Sequence, residues 1–133
     1  MTNIKIIGAK FLEIEAKKDP DFSGKIELKT NIQISSLEKV KKSKDTLKIT
    51  YFFEIDYGTL GKIKLKGNLF ILSDPKTIKT IIKNKENNEY NTPEYINITN
   101  FIIQKASIKA FELEEELGLP IHIKLPTLSI KND

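Results

Sequence analysis

Leu47-Lys48-Ile49-Thr50-Tyr51-Phe52-Phe53-Glu54-Ile55-Asp56-Tyr57, then Gly58-Thr59-Leu60-Gly61, then Lys62-Ile63-Lys64-Leu65, is the stretch that decides how this chain folds. Leu47, Ile49, Tyr51, Phe53, Ile55 and Tyr57 share one phase of a two-residue period, and polar groups fill most of the other. Ile63, Leu65, Leu69 and Ile71 continue the alternation beyond the glycines. Successive side chains of a strand point to opposite faces, so each run is a half-buried strand. Gly58 and Gly61 can take positive φ between them, which makes the pair a β-hairpin.

Two more alternating runs precede the hairpin. Ile26, Leu28, Thr30, Ile32 and Ile34 face Lys25, Glu27, Lys29, Asn31 and Gln33 across one strand. The first run changes phase: Ile4 and Ile6 agree with Leu12, Ile14 and Ala16, whereas Ile7, Ala9 and Phe11 do not. A bulge near Gly8 or a strand buried on both sides explains the change. The expected strands are 4–17, 24–35, 45–57 and 61–72.

Long antiparallel strands with one apolar face need a cover. Asp74-Pro75 reads as an N-cap with proline at the first helical position, opening a short helix over 75–84. Thr92-Pro93 repeats the signal, and a helix over 93–117 runs to Leu117 before Gly118 and Pro120 stop it. An extended tail over 119–130 follows. The fold class is therefore α+β: a four-stranded antiparallel sheet covered on one side by a long C-terminal helix, within a single domain over 1–133.

At about 100° per residue, Ile98, Ile102, Ala106, Leu113 and Leu117 cluster on one side of the long helix, widened by Ala110, Ile103 and Ile96. That side should pack on the sheet. A second apolar set, Phe101, Ile108 and Phe111 with Gln104 among them, has the spacing of a helix-pair seam. Two phenylalanines and an isoleucine left in water would make an interface patch, so these four are the candidate oligomer contacts. Phe52, Phe70 and Leu72 are out of phase with their strands, and Phe11 joins them. They either line a hydrophobic groove or lie under the tail or the short helix.

Composition narrows the chemistry. The chain of 133 residues has no cysteine, which removes disulfides, thiolate catalysis and cysteine-ligated zinc. No apolar run is long enough for a membrane span and no signal peptide opens the chain, so the expected location is cytoplasmic. Every basic residue is lysine, the net charge is +4, and lysines alternate with acids as in Lys25-Ile26-Glu27-Leu28-Lys29. Without the forked guanidinium that reads phosphates and bases, nucleic acid is not expected as a partner. The single histidine, His122, falls on the polar side of an alternating segment and reads as a surface residue. Glu112, Glu114, Glu115 and Glu116 form the densest acidic cluster, but no loop holds them in calcium geometry. No catalytic residues, cofactor or metal are expected, and the chain reads as a protein-binding module rather than an enzyme.

The end of the long helix carries a resemblance. Leu117-Gly118-Leu119-Pro120 through Leu125-Pro126 is similar to the Gly-x-Phe/Leu-Pro segment followed by Leu-x-Pro in the SecB family of export chaperones. The order of four strands, a crossover, a long helix and an extended tail resembles the same family. The resemblance implies an ATP-independent holdase that binds unfolded or precursor polypeptides in hydrophobic grooves and assembles as a dimer of dimers. It implies subunit contacts at Phe101, Ile108 and Phe111, and a groove position at Leu119 with Ile121 beyond it. The family's bacterial members are acidic, whereas this chain is basic. A cavity for an apolar small ligand and a structural subunit of a protein complex are the alternative readings.

Overall fold

A computed structural model describes residues 4–123. Four strands, β1 (Lys5–Lys18), β2 (Lys29–Lys39), β3 (Thr46–Asp56) and β4 (Gly61–Leu72), form one antiparallel sheet in the order β1-β4-β3-β2. Two helices follow, α1 (Pro75–Glu86) and α2 (Pro93–Leu117), with α2 lying across one face of the sheet.

The hairpin of β3 and β4 is the centre of the sheet. Its register sets Leu47 against Ile71, Ile49 against Leu69, Tyr51 against Gly67, Phe53 against Leu65 and Ile55 against Ile63. All of these side chains are fully buried on the inner face, as the alternation requires. Gly67 has a specific reason to be glycine. A Cβ there would lie 2.5 Å from the Tyr51 hydroxyl oxygen, 2.7 Å from Cζ and 2.9 Å from the carbonyl oxygen of Lys10. The Tyr51 ring therefore occupies the space that a side chain on β4 would need, and burial raises its phenol pKa.

The outer strands are less regular. The register of β1 on β4 shifts between Ile6 and Gly8 and again between Phe11 and Glu13, which accounts for the change of phase in the sequence. It also corrects the placement of Phe11. That residue pairs with Gly67 on the inner face and packs against the lower half of the core, not on the outward face with Phe52 and Phe70. β2 begins at Lys29 instead of residue 24, because its ladder starts opposite Asp56 at the end of β3. Ile26 and Leu28 are exposed as a result. A second irregularity, between Ile34 and Ser36, resets the phase and lets β2 run on to Lys39 with Leu37 opposite Ile49.

The helices start where their caps stand. The Asp74 carboxylate accepts hydrogen bonds from the Thr77 backbone N–H at 3.0 Å and the Thr77 hydroxyl at 2.6 Å. These bonds hold its pKa below the usual carboxylate value. Thr92 caps α2 through its hydroxyl, which accepts from the Tyr95 N–H at 3.3 Å and from the buried Asn84 side chain at 3.0 Å. Along α2 the buried row runs Ile98, Ile102, Ala106, Ala110 and Glu114. This i, i+4 row drifts around the helix, so the side that meets the sheet differs between its two ends. Ile96 and Ile103 consequently lie outside the contact and are exposed, contrary to their expected place on the sheet-facing stripe. The large residues Ile98 and Ile102 fill the upper core with Ile78, Ile81 and Tyr95, while Ala106 and Ala110 serve the lower one.

At its C-terminus α2 ends on Gly118 in the left-handed region, φ 72°, a position that favours glycine. The chain turns back there. Leu119 enters the lower core at 5% exposure, with its N–H donating to the Glu114 carbonyl at 2.9 Å. His122 is not the surface residue that its sequence pattern suggests, because the turn at Gly118 replaces an extended run with a fold-back. Its side chain is 4% exposed, and its Nδ1 pairs with Glu114 Oε1 at 2.7 Å while its backbone N–H donates to Oε2 at 3.0 Å. The Tyr57 hydroxyl donates to the same Oε2. Burial, the bond to Glu114 and the carboxylate's charge push the Tyr57 pKa far above the usual phenol range. The four glutamates at the end of α2 thus do not converge: Glu114 is fully buried, and Glu112 pairs with Lys109 at 3.1 Å. No group of three or more His, Cys, Asp or Glu among the described residues comes together as a metal site. The expected tail beyond residue 123 lies outside the described residues.

Two substitutions test these constraints. Gly67→Ala should cost about 2 kcal/mol in a urea melt, since Tyr51 must leave its place against β4. Glu114→Ala should cost about 3 kcal/mol by the same measurement, because it strands the Tyr57 hydroxyl and both His122 nitrogen groups in the interior. Glu115→Ala, one residue along on the exposed side, should change stability by less than about 0.5 kcal/mol.

Candidate functional site

Two things leave an opening between β2 and α2. β2 is an edge strand, so one side of its backbone has no partner strand. The loop between α1 and α2 sets Tyr90 at the cleft beside Tyr95 of α2. Asn84 pins the end of α1 to Thr92, the Glu89 N–H donates to the Asn84 carbonyl at 2.7 Å, and Asn88 sits at φ 55°. The Tyr90 hydroxyl donates to Asn88 Oδ1 at 2.7 Å, which orients its ring 5.0 Å from that of Tyr95 at 52°.

The space so enclosed is a cleft of about 520 Å³, floored by Ile32 and Ile34 of β2 and walled by Tyr90, Tyr95, Ile96 and Thr99. Ile96 is 43% exposed and Tyr90 half exposed, so the opening presents apolar surface directly to solvent. Tyr95 lies deeper. Burial, with Tyr90 beside it, pushes its pKa up to about 12, and the phenol remains neutral throughout the physiological range. Lys85 and the amides of Gln33 and Asn100 stand at the rim. The lining offers shape, apolar contact and neutral hydrogen-bonding groups, together with the free edge of β2. A strand edge beside apolar side pockets suits an extended polypeptide.

None of the groove residues expected from the sequence lines this cleft. Phe52, Phe70 and Leu72 are on the opposite, outer face of the sheet, where Phe52 is 41% exposed. Lysines cover part of two of them: Lys66 Nζ lies 5.5 Å from the Phe52 ring centroid and Lys10 Nζ 5.9 Å from that of Phe70. Phe52 comes nearest the cleft, sharing a neighbouring depression with Ile32 and Gln33 over the β2 edge. Phe11 and Leu119 are core side chains, and Ile121 is exposed beyond the turn at Gly118. The residues that do line the cleft left a weak trace in the sequence. Ile32 and Ile34 read as ordinary strand core and Ile96 as part of the sheet-facing stripe; the one signal that could have pointed here, two tyrosines flanking a helix start, is weak.

The second stripe of α2 is only partly turned to solvent. Ile108 is 62% exposed, Gln104 is exposed, and Phe111 is half-buried; Phe101 is half-buried too, leaning on the upper core. No helix among the described residues is long and apolar enough to cross a membrane.

Neither a protein-family model nor a curated protein sequence matches this chain. Solved structures do match. A SecB-like chaperone of Mycobacterium tuberculosis, in complex with a ChAD peptide from the HigA1 antitoxin, superposes with a TM-score of 0.52 at 12% identity, covering 95% of this chain and 88% of that one. A protein of unknown function from Streptococcus agalactiae superposes with a TM-score of 0.54 at 9% identity, covering 96% of this chain and 99% of its own. What is shared at such identities is the fold, and the architecture of this chain is SecB-like.

Proposed function

We propose that this chain is a SecB-like, ATP-independent chaperone of the cytoplasm that holds unfolded or precursor polypeptides, and that the cleft between β2 and α2 is where it holds them. The cleft carries the reading: exposed apolar side chains stand beside an unpaired strand edge, in a fold shared with a chaperone solved with a bound peptide. An extended client can pair its backbone with β2 and place alternate side chains against Ile32, Ile34 and Ile96. Such contacts select for exposed apolar side chains without selecting a sequence. Phe52, just over the β2 edge, extends the apolar track for a longer client, and Phe70, Leu72 and Ile121 offer further contacts outside the cleft.

Assembly completes the proposal. The stripe of Phe101, Gln104, Ile108 and Phe111 supplies a subunit contact, and a dimer of dimers would bring several clefts onto one long client.

Equimolar protein should suppress light scattering from a chemically denatured model substrate in the absence of ATP. Ile96→Asp with Tyr90→Ser, both at exposed positions of the cleft wall, should abolish that suppression while circular dichroism stays unchanged; no suppression by wild type at several-fold excess would remove the reading. Sedimentation should find an oligomer, and Phe101→Asp with Ile108→Asp should split it. A double variant that stays assembled would show that the stripe is not the contact.

A further inference from the structure

A second depression is built on the same strand and helix as the cleft, and its chemistry is different. It encloses about 830 Å³ and is lined by Lys39, Lys41, Lys42, Lys44 and Lys79, with Val40 at its base. No carboxylate is in the lining. All five lysines are exposed, and none forms an ion pair among the described residues, whose salt bridges lie elsewhere. The nearest acids in sequence stand outside its lining, Asp45 and Asp74 in a hollow that meets it at Pro75. Glu38 pairs in register with Lys48 in the β2–β3 ladder, Asp45 lines a different hollow beside Ile4 and Leu72, and Asp74 is engaged by Thr77. The depression is therefore a concentration of five lysines with no carboxylate in its lining.

The same two elements line both hollows. β2 supplies Ile32 and Ile34 to the cleft and Lys39 to the basic pocket, while α1 supplies Lys85 to the cleft and Lys79 to the pocket. From Ile34 to Lys39 along a strand is roughly 17 Å, at about 3.3 Å per residue. From Lys85 to Lys79 along a helix is roughly 9 Å, at about 1.5 Å per residue. One extended chain can span that separation with a handful of residues.

Resting on the reading of the cleft as a client site, we propose that the preferred clients carry an acidic run next to an apolar segment, the apolar segment lying in the cleft and the carboxylates in the lysine pocket. Lysine suits this task, because a compact ammonium on a flexible stem attracts carboxylates without fixing their orientation. A polynucleotide would satisfy the charge but leave Ile32, Ile34 and Ile96 without apolar partners. A mixed apolar and acidic polypeptide satisfies both hollows at once.

Fluorescence anisotropy with labelled peptides tests the proposal. A common apolar segment is joined to a run of aspartates, of serines or of lysines, with the run placed at either end. In low salt the aspartate peptide in its better orientation should bind about tenfold tighter than the serine peptide, and the lysine peptide more weakly than either. The aspartate advantage should shrink as salt is added. Lys41→Glu with Lys42→Glu and Lys44→Glu should erase the advantage while leaving the serine peptide's affinity unchanged; the corresponding serine substitutions should reduce it. Equal binding of aspartate and serine peptides would overturn the acidic-client proposal and leave the holdase reading intact. Failure of every peptide to bind would overturn both, and displacement of the aspartate peptide by a single-stranded oligonucleotide of equal charge as readily as by the unlabelled peptide would overturn the proposal in favour of a general polyanion site.

Discussion

The seating of α2 on the inner face of the β3–β4 hairpin is the contact on which everything else depends. Leu47 to Tyr57 and Ile63 to Ile71 put a continuous apolar row on one side of two central strands. Such a face is unstable in water, and a helix with a matching row removes it from solvent. Because that row follows i, i+4 steps, it winds around α2, and the two ends of the helix expose different sides. At the N-terminal end the winding turns Ile96 outward over β2, which creates the cleft wall. At the C-terminal end it turns Glu114 inward, where Tyr57 and His122 tie the returning chain to the helix.

How much of this was legible follows from which features are local. The alternation of β3 and β4, the Asp74-Pro75 and Thr92-Pro93 helix starts and the Gly118 stop are local signals, and the structure carries each of them. Features that depend on a partner were not legible. Ile26 and Leu28 continue the period of β2 faithfully, but β3 has ended before them, so they have no strand to pair with. Phe11 stands in the outward phase of the sequence, and the register shift between Ile6 and Gly8 returns it to the core. His122 alternates like a surface residue, yet its environment is set by the turn at Gly118 and by a glutamate eight residues earlier. The cleft was illegible for the same reason: it is bounded by a strand, a helix and a loop that meet only in the fold.

The resemblance to SecB chaperones noted at Gly118 and the following residues is matched at the level of architecture by a superposition covering most of the chain. The residue-level expectations drawn from it fare differently. Leu119, expected beside a groove, is a core side chain that anchors the end of α2. The apolar opening lies near the start of α2 instead, between its first turns and the β2 edge.

The irregularity at Ser35 has a kinetic consequence. A chain that adds to the free edge of β2 meets a regular ladder only up to Ile34, beyond which the phase resets and the hydrogen-bonding pattern is interrupted. A strand added there, as the proposed client would be, can be only a few residues long, so it would have few bonds to break before it leaves. The same interruption denies a second copy of this sheet a long, flat edge to zip against, which guards the exposed strand against fibre growth.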